Sequence, residues 1–512
     1  MENKVSRNTA ASTTPKGALL RVRRMHLHTQ REAIVVMRTD CPVCRSEGLA
    51  PRSQVLLQTN GREVTSILFQ GADDVLAQDE VGLSEAAWEL LGASEGEWVT
   101  VRHPRPVHSM GAVRSRIFGA ALQPFAFDEI VTDVVAGRYS DVQLAAFITA
   151  GSALPFTDDE TIALTGAMAR AGEQLRWDRE IVDKHSVGGL PGNRTTPIVV
   201  AIAASAGLTI PKTSSRAITS PAGTADAMET VTNVALDLAT IRRVVDAEGG
   251  CLAWGGALKL SPADDILIGV ERQLDIDPEG QLIASVLSKK IAAGAQRVVL
   301  DIPVGRTAKV RSAAAGRKLA MRMQAVAGKF GLETTSIISD GSQPVGRSIG
   351  PALEMRDVLA VLRLEQDAPA DLRDRSLAIA AAVLELGGAV APDCGAERAQ
   401  QLLDDGTAYR KLESICTAQG AFREPPGAAL ERVITSDQNG TITEIDNRKI
   451  ARIAKFAGAP DSPAAGLRLH VRLEETVACG QPLITLYADT ESEISYTMDY
   501  ARSVGHGIQV AN

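Results

Sequence analysis

The sequence predicts a multidomain α/β protein: a small N-terminal β-rich domain, a helical domain, a large α/β domain with a mixed or parallel sheet, and a C-terminal α+β domain. Three observations carry this. The 512 residues are too many for one hydrophobic core. From Ile181 onward, short apolar runs alternate with helical stretches, as in parallel strands joined by helical crossovers. Near both ends, short runs rich in β-branched residues lie between Gly, Pro and Asn-Gly punctuation, which marks strands joined by turns.

Bulk properties exclude several classes. The net charge of −8 gives no basic footprint for nucleic acid. An anionic ligand would need local cations in a cleft. The longest apolar run, residues 197–208, is too short to cross a membrane. Residues 1–18 are polar, lack the apolar centre of a secretory signal and are expected to be a disordered tail. Six cysteines in so long a chain form no disulfide framework, so reduced thiols and a cytoplasmic location are expected.

The N-terminal domain spans residues 19–107. Strands are expected at 20–22, 33–37, 54–58 and 64–68, a hairpin at Asn60-Gly61, a helix at 84–91 and a closing strand at 98–101. Cys41-Pro-Val-Cys44 sits in an expected loop; with no second pair at ligand spacing it reads as structural rather than as half a zinc site. The helical domain covers 111–172 plus 260–292. Ile130, Val131, Val134 and Val135 share one helix face, Ser140-Asp141 can cap a second helix, and Thr157-Asp-Asp-Glu160 is a capping box.

The α/β domain covers 176–258 plus 294–430. It reads as strand 181–182, helix 196–206, strand 208–210, strand 297–302, helix 308–330 and strand 335–339, followed by a mainly helical region, 353–420. Helices opened by Ser261-Pro262-Ala263-Asp264 and running over 279–292 interrupt this pattern and are assigned to the helical domain. The last domain, 432–505, reads as strands with a hairpin at Asn439-Gly440, a helix at 448–457 and strands at 467–471 and 483–487.

The chemistry concentrates between Asp183 and Asp226. Two Gly-, Ser- and Thr-rich loops flank the apolar helix, with Lys184 and Arg194 in the first and Lys212 and Arg216 in the second. Glycines allow close backbone approach, hydroxyls give direction and cations give charge, which together suit a phosphate. Lys184, His185 and Ser186 lead into Gly188-Gly189; taken alone, that loop also fits an ordinary turn with an exposed lysine. Ser214, Ser215, Arg216, Thr219, Ser220 and Thr224 lie in the next such loop, and successive loops converge at the carboxyl edge of a parallel sheet. His185 is the one histidine inside this cluster; the others read as structural.

K-H-S-V-G-G, S-R-A-I-T-S-P-A-G-T-A-D and A-S-V-L-S-K-K, in this order, resemble the thymidine phosphorylase and AMP phosphorylase family. The similarity covers residues 111–505, and the whole chain resembles the long form with an added N-terminal domain. The resemblance implies a helical domain facing an α/β domain across a cleft. It implies phosphate contacts from Lys184, Ser186, Ser214 and Thr224, and base contacts from Ser285 and Lys289. As in the AMP-specific branch, it implies nucleotide contacts from Gly189, Ser215, Arg216, Ala217, Ile218, Thr219, Ser220, Thr224, Ser285 and Lys309.

Asp277 matches that branch's proton donor, whereas by its own chemistry Asp before Pro is a helix N-cap; both readings stay open. Asp277 and His185 are the catalytic candidates. The expected activity is cleavage of a nucleoside or nucleoside 5′-monophosphate by inorganic phosphate, giving free base and (deoxy)ribose 1-phosphate. Inorganic phosphate is then a co-substrate, and neither cofactor nor metal is expected. A homodimer or larger homo-oligomer is implied by the resemblance alone.

The second loop lacks the His and extra glycines of the short thymidine enzymes. Their base-binding Arg has no match in register, Arg272 being displaced. Two alternatives remain: a phosphoribosyltransferase, which needs a diphosphate-bearing sugar and usually Mg²⁺, and a non-catalytic nucleotide-binding protein.

Overall fold

The computed structural model describes residues 19–511 apart from 60, 72–73 and 218–219. The 1–18 tail, Asn60 of the expected hairpin, and the site candidates Ile218 and Thr219 lie outside the described residues. Two compact units are present. One contains the described residues up to Arg114 with Thr132–Leu144; the other contains Ser115–Val131 and Ala145 onward. No helix among the described residues is long and apolar enough to cross a membrane.

The first unit is built on a closed six-stranded barrel. Its strands are Leu19–Arg24, Ile34–Arg38, Gln54–Thr59, Arg62–Gly71, Glu80–Leu83 and Trp98–Arg102, arranged first, fifth, second, fourth, third, sixth. Alternate residues such as Val35, Met37, Val55, Leu57, Val99 and Val101 fill the interior, as the two-residue period of a strand requires. Glu80–Leu83 escaped the sequence reading because four residues are too few to show a period. The Cys41-Pro-Val-Cys44 segment is not a loop. Proline at the first helical position starts a helix, Pro42–Glu47, and both thiols are buried.

In the second unit, the helix Asp158–Arg170 opens with the full Thr157/Glu160 capping box and packs against the helix Glu279–Ala292. The α/β sheet is parallel throughout. Glu333–Asp340 pairs with Arg297–Val304, which pairs with Val182–Ser186; Ile210–Ser214 pairs with Gly250–Trp254. A single bridge, Ile181 to Thr209, joins the two groups. The helix Thr196–Ser205 lies in the core: Thr196 to Ala204 are all buried, packed on helices Pro351–Leu362, Ala370–Leu386 and Thr407–Gln419. So complete a burial accounts for its lack of any polar face.

Two strands run further than the sequence reading placed them. Val182–Ser186 includes Lys184, His185 and Ser186, and Ile210–Ser214 includes Lys212. These residues are strand ends, not loops. The C-terminal region forms two antiparallel sheets, one of which takes in Ser348–Ile349 from the preceding domain. Asn439-Gly440 is not a hairpin turn: the flanking strands Leu430–Thr435 and Gly440–Ile445 belong to different sheets. The Asn439 side-chain oxygen instead accepts from the Cys479 backbone N–H at 2.8 Å.

Candidate active site

Lys184 extends from the end of its strand towards the start of the helix Thr196–Ser205. It is 1% exposed. Its three ammonium donors go to hydroxyls: Ser186 Oγ at 2.9 Å, Thr195 Oγ1 at 2.8 Å and Thr196 Oγ1 at 3.1 Å. Among the described residues Lys184 makes no ion pair. Burial, helped by Arg194, pushes its pKa down to about 8 against the opposing pull of Asp301. Each of the three hydroxyls accepts from the ammonium, so each keeps a hydrogen to donate elsewhere.

The neighbouring residue points to the opposite face of the strand. Asp183, 3% exposed, sits between Lys290 Nζ at 2.6 Å and Lys212 Nζ at 3.2 Å. Burial pushes the Asp183 carboxyl up, but Lys212 and Lys290 outweigh it and hold the pKa below the usual value. Lys212 is therefore a buried structural cation and not part of a phosphate cradle, contrary to its reading as a loop residue. His185 lies beside these lysines; burial and the cations Lys290, Lys212 and Lys184 keep its imidazole neutral, well below the ordinary histidine range.

Arg194 does not face a ligand either. It is 8% exposed and paired with Glu354 at 2.6 Å, and it donates to Thr224 Oγ1 at 2.7 Å and to the Ala222 carbonyl at 2.9 Å. It ties the first loop to the second and leaves the Thr224 hydroxyl hydrogen free. The side-chain oxygen of Ser214 is buried with no protein partner. Ser186, Ser214 and Thr224 are therefore hydroxyls with unused donors at the sheet's carboxyl edge.

The second loop is closed by Asp226, which accepts from the backbone N–H groups of Ala217 at 2.6 Å and Gly223 at 2.8 Å. Gly223 has no room for a side chain, since a Cβ there would stand 2.5 Å from the Ser215 carbonyl oxygen. Arg216 pairs with Asp226 at 3.2 Å and Glu229 at 2.5 Å and lies over the Trp254 ring. Ser215 is exposed, and Ser220 Oγ donates to the Ala222 carbonyl. Gly189, at φ +93°, passes against Lys309; a Cβ added to it would stand 3.4 Å from the Lys309 Cβ.

On the helical side, Ser285 and Lys289 lie four residues apart on one face of Glu279–Ala292. Lys289 is anchored by Asp264 at 2.5 Å; burial acts to lower its pKa, and Asp264 more than offsets this and raises it. Asp277 is not a cap. The helix begins at Glu279 with Pro278 in the cap position and no side-chain bond, while the Asp277 carboxyl is in contact with the Lys309 ammonium. Arg272 donates to the Ala217 carbonyl at 2.7 Å.

Sequence reasoning missed Asp183, Asp264, Lys290 and Glu271. Adjacent charges in otherwise apolar strand and helix segments were the signal for the first three. Glu271, beside Arg272 in an apolar helix, carried the same signal; burial, helped by Asp264, pushes its carboxyl up to about 7 against Lys309 and Lys289.

The chain is similar to known proteins over nearly its whole length. Residues 114–172 match the helical bundle domain of the glycosyl transferase family, 178–409 its a/b domain, and 441–504 the pyrimidine nucleoside phosphorylase C-terminal domain. A protein of Chelativorans sp. (strain BNC1) named "Putative thymidine phosphorylase" is 58% identical over 97% of this chain and 98% of its own length. One of the same name from Parvibaculum lavamentivorans is 55% identical over 98% of this chain and 99% of its own. Anthranilate phosphoribosyltransferase from Thermus thermophilus aligns with 60% of this chain and 99% of its own at TM-score 0.49 and 22% identity. The chain belongs to the thymidine phosphorylase family of pentosyltransferases, in its long form.

Proposed function

We propose that the protein is a phosphorylase that cleaves the N-glycosidic bond of a nucleoside or nucleoside 5′-monophosphate with inorganic phosphate. One observation carries this reading above the others: Lys184 is a buried ammonium surrounded by hydroxyls and, among the described residues, paired with no carboxylate. A desolvated cation without a counter-ion is costly, and a phosphate beside it relieves that cost.

In this reading Lys184, Ser186, Ser214 and Thr224 hold the phosphate, and the main gain is positioning of the nucleophile. A phosphate oxygen bonds to C1′ as the C1′–N bond breaks, and the bond pair stays on the base. Ser285 and Lys289 hold the base. The departing nitrogen takes up a proton from the Asp277–Lys309 pair, in which the proton rests on the Lys309 ammonium, whose pKa burial lowers to about 8. Neutral His185 serves as a hydrogen-bonding group rather than a cationic acid. Gly189, Ser215, Arg216, Ala217, Ser220 and Lys309 serve the sugar or nucleotide side.

The test is base release from AMP, CMP, UMP, thymidine and uridine, each with and without phosphate. Phosphate-dependent release from at least one is expected, and that panel also chooses the substrate. Release from none of the five defeats the proposal. Asp277→Asn is expected to lower kcat by roughly a hundredfold or more, within the range general acids contribute, at unchanged melting temperature. Equal kcat in that variant removes Asp277 from the chemistry.

A further inference from the structure

The loop that carries Lys309 is gripped from the C-terminal domain. This loop, residues 305–310, is closed by a bridge between Val304 and Val310 and by the Gly305 N–H donating to the Val310 carbonyl at 3.0 Å. Thr307 stands at its tip, two residues before Lys309. Asn447, the first residue of the helix Asn447–Phe456, reaches it and is completely buried.

The Asn447 side-chain amide donates to Thr307 Oγ1 at 2.9 Å and to the Gly341 carbonyl at 3.0 Å. Its backbone N–H, one of the unpaired donors at a helix start, also goes to Thr307 Oγ1, at 3.2 Å. The Gly341 carbonyl can only accept, so the amide nitrogen must face it. Capping does not require Asn447, because Asp446 accepts from Arg448 and Lys449. Gly341 packs closely on the same loop: its N–H donates to Val304, and a Cβ on Gly305 would stand 2.2 Å from its carbonyl oxygen. At the rim, Arg306 pairs with Glu444. Asn447 thus joins the loop tip to Gly341, and Lys309 emerges from the pinned segment between Asp277 and Gly189.

We propose that Asn447 is a positioning residue for Lys309, so that the C-terminal domain takes part in building the active site. The proposal rests on the reaction proposed above for its catalytic consequence, but not for the brace itself. Asn447 touches no substrate; it acts by fixing where the Lys309 ammonium can stand. A misplacement of about 1 Å at such a group can cost on the order of a hundredfold in rate.

The test uses the full chain with Asn447→Ala and, as a milder second variant, Thr307→Val, which keeps shape but loses the acceptor. Hydrogen–deuterium exchange over 305–310 is measured first, because it needs no substrate. Both variants are expected to exchange at least about tenfold faster there, with the sheet interior unchanged. Unchanged exchange in both overturns the brace.

On the substrate chosen by the panel, kcat/KM is then measured for Asn447→Ala, Lys309→Ala and the double variant. A drop of roughly 10- to 100-fold is expected in each single variant, with the double little worse than Lys309→Ala, since residues acting as one unit are not additive. Losses that multiply in the double variant overturn the positioning role, whereas a merely structural defect multiplies in this way. If the wild type releases no base, the proposed reaction falls, and the exchange measurement alone then decides the brace.

Discussion

In the proposed reaction Lys184 sets both phosphate affinity and stability. An exposed lysine keeps its charge to about pH 10.5, but this one loses it near pH 8 because burial disfavours the ammonium. The free protein therefore offers phosphate a cation below about pH 8 and a neutral amine above it. kcat/KM for phosphate is expected to fall as pH rises through about 8; a profile flat to pH 10 counts against Lys184 as the phosphate cation. The folded pKa lies below the unfolded one, so the unfolded chain binds more protons between the two values. Stability thus rises with pH from about 8 to 10.5, and at pH 7 the buried charge costs about 3 kcal/mol. Lys184→Met is expected to abolish activity while leaving the melting temperature in phosphate-free buffer at pH 7 equal or higher. A large fall in melting temperature would show that the hydroxyl bonds outweigh the desolvation. Lys184 itself was legible in the sequence, as a lysine beside hydroxyls and glycines. Its neighbour Lys212 was misread, because a charged residue at the carboxyl end of a buried strand breaks the apolar run that identifies the strand.

At the scale of elements, the two Gly-, Ser- and Thr-rich loops are held as one object by Arg194, which pairs with Glu354 and donates to Thr224 and Ala222. Glu354 lies on the helix Pro351–Leu362, 160 residues from Arg194, and is 1% exposed. Pairings at that separation leave no periodic trace, so a loop arginine reads equally well as a ligand cation. The same limit hid the partners of Gly440–Ile445: the strand was legible, but its pairing was not. The alternation of parallel strands and crossovers, by contrast, was legible because it repeats locally. Arg194→Met leaves the Glu354 charge buried without its partner and is expected to cost about 3–5 kcal/mol. Adding Glu354→Gln removes that charge and should restore much of the loss, as thermal or urea unfolding would show. Phosphate KM should stay raised in the double variant, because Thr224 has still lost its anchor. Recovery of phosphate affinity together with stability would mean that Arg194 does not position Thr224.

At the scale of the molecule, the proposed reaction needs the helical bundle and the α/β body brought together; beside the apolar core that Ile283, Val286 and Leu287 share with Leu319 and Met323 and the buried Lys290–Asp183 pair, two arginine contacts between them differ in kind. Arg322, on the helix Ala313–Gly328, donates to Asp158 at 2.8 Å, Glu279 at 2.5 Å, the Phe156 carbonyl at 2.8 Å and Thr161 at 3.2 Å, all on the bundle side. One half-buried guanidinium serving four acceptors from two helices and their approach is an anchor. The Arg272 contact with the Ala217 carbonyl is one exposed bond, made directly to the second loop. The first lies beside the shared apolar core and is built to persist, whereas the second can open without much cost, so the expected motion is a pivot on the Arg322 side with parting at Arg272. Arg322→Ala is expected to lower stability by about 2–3 kcal/mol, since charged donors are lost to several acceptors at once. Arg272→Ala should change stability by less than about 0.5 kcal/mol yet raise the KM for the nucleoside or nucleotide, because the loop loses its tie to the opposite wall. Unfolding curves and initial rates on the two variants decide between this pivot and a fixed cleft. Equal losses of stability in both, with unchanged KM in Arg272→Ala, would mean that the two contacts are equivalent struts and that the site does not open there.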